Sequence, residues 1–125
     1  MLLRDQPAEA RPLFERAVAL QREIGDPHML ANFLSNLGDA ARESDDGEEA
    51  GRCYRESLGL AWSLGEQWLI AYLLEDVAML AAQDGHAAPA IRLAAAAASL
   101  REAIGTPLPP QSAKKLETRV SQARS

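Results

Sequence analysis

A chain of 125 residues, 47% hydrophobic and 25% charged with a formal net charge of -5, is long enough for one compact domain and too short for two. Its apolar content excludes a disordered tail, no apolar run approaches the roughly 20 residues of a membrane helix, and thirteen basic against eighteen acidic residues argue against broad, direct nucleic-acid binding. Met1-Leu2-Leu3 is broken at once by Arg4 and Asp5, unlike a signal peptide, and one cysteine makes no internal disulfide, so a reducing cytoplasm is the expected compartment.

The first predicted element is a half repeat over 7-25: a helix carried by Ala10, Leu13, Phe14, Ala17, Val18, Leu20 and Ile24 and closed by Gly25. Only Met1 to Gln6 stand where a partner helix would precede it, and Pro12 is expected to bend the helix or delay its start. The next unit, 28-65, reads as a helix pair. Met29, Leu30, Phe33, Leu34, Leu37 and Ala41 make one stripe at three- and four-residue steps. Asp45-Asp46-Gly47 supply a turn and cap, and Ala50, Cys53, Tyr54, Ser57, Leu58, Ala61 and Leu64 make a second stripe up to Gly65. The unit 67-105 repeats the plan with Leu69, Ile70, Leu73, Leu74, Val77 and Ala81, a turn at Asp84-Gly85 and a helix from Ala87 to Ile104. Its first helix is apolar on most sides and is predicted to be the more buried of the two. After Pro107, Pro109 and Pro110, a last amphipathic helix over 110-124 rides on Ala113, Leu116, Val120 and Ala123 and is expected to cap the stack.

These units share a register of forty. Gly25, Gly65 and Gly105 end them, Leu20, Leu60 and Leu100 align, and Ala10-Leu13-Phe14 recurs as Ala50-Cys53-Tyr54 and Ala90-Leu93-Ala94. A repeat of this length signals a solenoid, in which each unit buries its apolar face on a neighbour. The expected fold is all-α: a right-handed solenoid of about two and a half helical hairpins plus the capping helix.

Leu34, Leu37-Gly38 and Ala41, and then Leu74, Val77-Ala78 and Ala81, resemble the first-helix pattern of tetratricopeptide repeats in their longer form. Ala50, Tyr54 and Ser57 fit the second-helix pattern; Ala90, Ala94 and Ala97 keep its small positions and lose the aromatic, and Trp62 stands where the family has proline. The C-terminal part, Ala71 to Pro110 and above all residues 98 to 110, is similar to the end of the repeat region in large bacterial regulators that join a STAND-type ATPase to a LuxR-type or winged-helix DNA-binding domain. The chain contains no Gly-x-x-x-x-Gly-Lys-Ser/Thr loop, and no segment is left over for a helix-turn-helix reader. What the resemblance implies is therefore a protein-interaction or sensor module, part or relic of such a regulator, with neither ATPase nor DNA-binding activity of its own.

No residue pattern calls for catalysis, a cofactor or a metal. His28 and His86 lack a second ligand at helical spacing. Cys53 lies on an apolar stripe beside Tyr54, as a packed thiol does. Asp45-Asp46 and Glu48-Glu49 sit at a turn and helix start, where negative charge favours the helix dipole. The run Ala94 to Ala98 reads as a flat surface for close packing. The remaining candidate is a groove lined by the first helices, formed by Asn32, Ser35, Asn36 and Asp39 in one unit and Tyr72, Glu75, Asp76 and Met79 in the next, with Arg42 and Gln83 at its edges. Its neutral-to-acidic lining favours a neutral or basic protein or peptide segment. The alternative reading is a small-molecule sensor, which needs an enclosed pocket. A second surface, Leu13, Phe14, Ala17 and Val18, lacks a partner helix and is predicted to support self-association.

Overall fold

The computed structural model describes residues 7-124, so Met1 to Gln6, the only residues standing where a preceding partner helix would be, lie outside the described residues. The fold is all-α. Among the described residues six helices follow one another: α1 Pro7–Ile24, α2 Pro27–Glu43, α3 Gly47–Leu64, α4 Gln67–Gln83, α5 Ala87–Ile104 and α6 Pro110–Arg124. Helices α1, α3 and α5 begin and end at forty-residue intervals, and so do α2 and α4. Among the described residues no helix is long and apolar enough to cross a membrane.

The helices group into two compact units that divide after Gly65. In the first, α2 packs on α3 and α1 packs on α2; in the second, α4 packs on α5, and α6 lies on α4 more than on α5. The first unit's core joins Val18, Leu34, Leu37 and Cys53, flanked by Phe14, Leu30, Phe33 and Leu60. Tyr54 fills the α2–α3 crossing against Gly38, so closely that a Cβ on that glycine would lie 2.5 Å from its Cε1. Ser57, fully buried on the same face of α3, donates its hydroxyl to the Ala31 carbonyl at 2.7 Å. In the second unit Ala78, Met79 and Leu116 cluster, with Leu93, Ala94, Leu108 and Val120 against them, and Leu69 and Leu73 are fully buried.

The turn chemistry explains the boundaries. Asp26 caps α2 by accepting from the backbone N–H of His28 and Met29, with Pro27 pre-set for the first helical position. Asp46 caps α3 through the Glu49 N–H at 3.1 Å, whereas α4 and α5 begin without a side-chain cap bond. After α2 the chain reverses through Asp45 at φ +62°, and forty residues later Gly85 makes the same left-handed step at φ +78°. The bonds that follow match as well: Asp46 N–H to the Ala41 carbonyl, His86 N–H to the Ala81 carbonyl, both 2.8 Å.

Of the two outcomes expected at Pro12, a bend or a delayed start, the delay is not seen. Helix α1 starts at Pro7 and runs through Pro12, so Pro12 does not delay it. Little helix precedes that proline, so only one early backbone bond is forfeited, and Ala10, 1% exposed, anchors the first turn.

Candidate functional site

On α2 the sequence predicts four ligand-facing residues, and the structure separates them. Ser35 is buried, which removes it from any solvent-facing surface. Asn32 and Asn36 are half-buried, and Asn32 turns its amide back to the His28 carbonyl at 2.9 Å. Asp39 is engaged from within: Tyr54 donates its hydroxyl to Asp39 Oδ1 at 2.6 Å, Arg42 Nε donates to that same hydroxyl at 3.1 Å, and the Arg42 guanidinium stands 3.8 Å from Asp39. This chain of charge-assisted bonds locks the Tyr54 ring and supplies the buried phenol with both a donor and an acceptor.

On α4, Tyr72 is half-buried, while Glu75, Asp76 and Met79 are buried. Met79 belongs to the core with Ala78 and Leu116, because α6 packs over α4 where the sequence suggested an open groove. Glu75 pairs with Arg101 of α5: Nε and Nη2 reach its two carboxylate oxygens, the second at 2.8 Å, and Nη1 donates to the Thr106 carbonyl at 3.0 Å. Such a bidentate pair satisfies both charges where neither could be buried alone. Arg101 was not singled out in the sequence. Its signal is a long cation on α5, at the position where α3 has Ala61, in a register that calls for a small residue.

The predicted self-association surface also divides. Val18 is buried, and Phe14 packs on the same core, since both face α2. Ala17 is half-buried, and Leu13 is 48% exposed. The exposed strip continues instead to Leu20 and Ile24, 53% and 61% exposed, which fall with Leu13 on one line of the helix at steps of seven and four.

The other candidate chemistry is structural. Burial pushes the Cys53 thiol up to about 11, with Glu49 adding to it, so it is held as a neutral packing group. At the acidic turn, the Arg11 guanidinium holds Asp46 below the usual carboxylate range, helped by the Glu49 backbone N–H. Glu49 in turn accepts from Arg52 at 2.8 Å. His28 and His86 are exposed, and no group of three or more metal-capable side chains occurs among the described residues.

The second unit also holds a cleft of about 860 Å³, walled by α5, α6 and the turn between them, with the Glu75–Arg101 pair in its lining. No family model matches the chain, and no curated protein or solved structure matches it either.

Proposed function

We propose that the chain is a non-catalytic helical-repeat scaffold of the tetratricopeptide kind, a right-handed solenoid of about two and a half repeats with α6 as its cap, that binds a protein or peptide. The observation that carries this reading is the forty-residue recurrence of helix boundaries, left-handed turn residues and closing hydrogen bonds, since such recurrence is how repeat modules build binding surfaces. In the first unit binding would use the half-buried polar residues Asn32, Asn36 and Asp39 on α2, and in the second unit Tyr72 on α4. The formal net charge of -5 favours a neutral or basic segment. The similarity of residues 98 to 110 to the repeat regions of bacterial regulators supports a place in cytoplasmic signalling or transcriptional control.

Selection from a displayed random peptide library tests this. Neutral or basic peptides should be enriched on the chain and lost on Asn36→Arg and Tyr72→Ala variants that melt like the parent. Failure to enrich, or enrichment indifferent to both changes, contradicts the reading.

A second copy of the chain is the proposed partner of the α1 strip. Forty residues on, the equivalents of Leu13, Leu20 and Ile24 are Cys53, Leu60 and Leu64, of which the first is buried and the others half-buried; Cys53 and Leu60 pack in the core with Leu34 and Leu37 of α2. Covering the strip would remove a comparable apolar area from water. Light scattering should show a concentration-dependent dimer that Leu20→Asp with Ile24→Asp abolishes; a strict monomer at high concentration refutes it.

A further inference from the structure

We propose that the cleft between α5 and α6 is a binding site for a small, predominantly apolar molecule that is neutral or singly cationic and carries a hydrogen-bond acceptor. This goes beyond scaffold function and does not depend on it, because every residue of the site lies in the second unit.

The cleft exists for a reason visible in the register. On α3 stand the buried Tyr54 and the half-buried Leu58; forty residues on, α5 carries Ala94 and Ala98. Two large side chains are thus exchanged for two methyl groups, and α6, which leans on α4 more than on α5, does not close the gap. The resulting volume of about 860 Å³ falls within the range that drug-sized ligands occupy. Ile91, Ala94 and Ala98 form one wall, and Leu108, Leu116 and Val120 the other, so the driving force is removal of apolar surface from water.

Polar groups define the class. Arg101 is 9% exposed, and its charge is already met by the Glu75 carboxylate, so this pair offers no net positive charge with which to hold an anion. Three of the five guanidinium N–H groups are used, two on Glu75 and one on the Thr106 carbonyl, which leaves donors for a ligand carbonyl or hydroxyl. The bond to Thr106 also fixes the turn that forms the cleft's end, so the site is organised before anything binds. Around the rest of the lining, Glu102 and Glu117 outnumber Arg124, which disfavours anions and tolerates one positive charge.

The test uses the full chain and two environment-sensitive dyes: Prodan, a neutral naphthalene with a ketone acceptor, and the anionic anilinonaphthalene sulfonate. Prodan should bind saturably, one per chain, with blue-shifted emission, and more tightly than the sulfonate. Ala98→Leu, which restores the leucine found at 58, and Ala113→Leu from the facing helix should each raise its Kd by roughly tenfold or more through steric exclusion. Both should keep the parent's helical circular dichroism, and Leu20→Asp with Ile24→Asp should leave Prodan binding unchanged. Non-saturable binding, stronger binding of the sulfonate, or a Kd indifferent to both leucines overturns the proposal. So does an empty cleft that only a partner's helix can fill.

Discussion

The contact between Gly38 and Tyr54 makes a prediction whose sign is the test. In an exposed helix, glycine to alanine stabilises by about 1 kcal/mol. Here the added Cβ would lie 2.5 Å from Cε1 and 2.7 Å from Cδ1 of Tyr54, well inside van der Waals contact. The ring has little room to retreat. It is 1% exposed, and its hydroxyl is tied to Asp39 and Arg42. Overpacking a fixed core group costs about 3 kcal/mol at the upper end of the usual range. Net of the helix gain, Gly38→Ala should destabilise by about 2 kcal/mol, or roughly 10 °C in Tm for a unit of this size.

The second repeat shows the complementary solution. Ala78 stands where the first has Gly38, and Ala94 where it has Tyr54. Tyr54→Ala alone should cost about 3 to 5 kcal/mol as a cavity, yet Gly38→Ala added to it should recover about 1 kcal/mol, because the clash is gone. The cycle should therefore report a coupling of about 3 kcal/mol, measured by urea denaturation followed by far-UV circular dichroism. A neutral or stabilising Gly38→Ala in the parent chain would show that the ring yields, and would refute the claim that the Asp39–Tyr54–Arg42 bonds hold it.

Three further outcomes are expected. Asp45→Gly, matching Gly85, should stabilise by about 0.5 to 1 kcal/mol by relieving a left-handed side-chain residue, and a lowered urea midpoint would contradict it. Cys53 should react with a disulfide reagent at pH 8 about a hundredfold more slowly in the native chain than in urea, since a thiol raised from 9.0 to about 11 carries that much less thiolate; equal rates would refute its burial. The Glu56 carboxyl is lowered by its hydrogen bond to Arg22, against an opposing effect of burial, so its contribution is complete above its ordinary value near 4.5 and is lost as pH falls through the lower folded value. The pair is about half-exposed, so Arg22→Gln should cost no more than about 0.5 kcal/mol at pH 7 and nothing once acid has protonated Glu56 in the folded chain; a difference in Tm that persists there would exclude this pair as its source.

The helices were legible in the sequence because their signals are local. Asp26 followed by Pro27, Asp46 before Gly47, and glycines at 25, 65 and 105 specify backbone geometry within a few residues, and the helices end where these signals stand. Side-chain fate was less legible, since it depends on which helix arrives from a distance. Ser35, Glu75, Asp76 and Met79 lie off the main apolar stripes and so read as groove residues, but α4 receives α6 on one side and Arg101 on another, and those neighbours bury Met79 and Glu75. Glu75 and Asp39 both read as groove residues, but Glu75 is the counter-ion of Arg101 and Asp39 is part of the Tyr54 lock.

Comparing the two hairpins shows what the register alone can reveal. Where the first unit has Gly38 and Tyr54, a small-large pair that fills its crossing, the second has Ala78 and Ala94, a small-small pair that does not. The fold survives this change because α6 supplies Leu116 and Val120 to the second core, side chains that replace part of the lost aromatic volume from outside the hairpin. That substitution is partial, and the unfilled remainder is the α5–α6 cleft. A departure from a repeat pattern is therefore more informative than agreement with it. Agreement at Ala50 and Ala90 reports only that two helices approach closely, whereas the loss of the aromatic at 94 marks the place where this chain differs from its own first repeat.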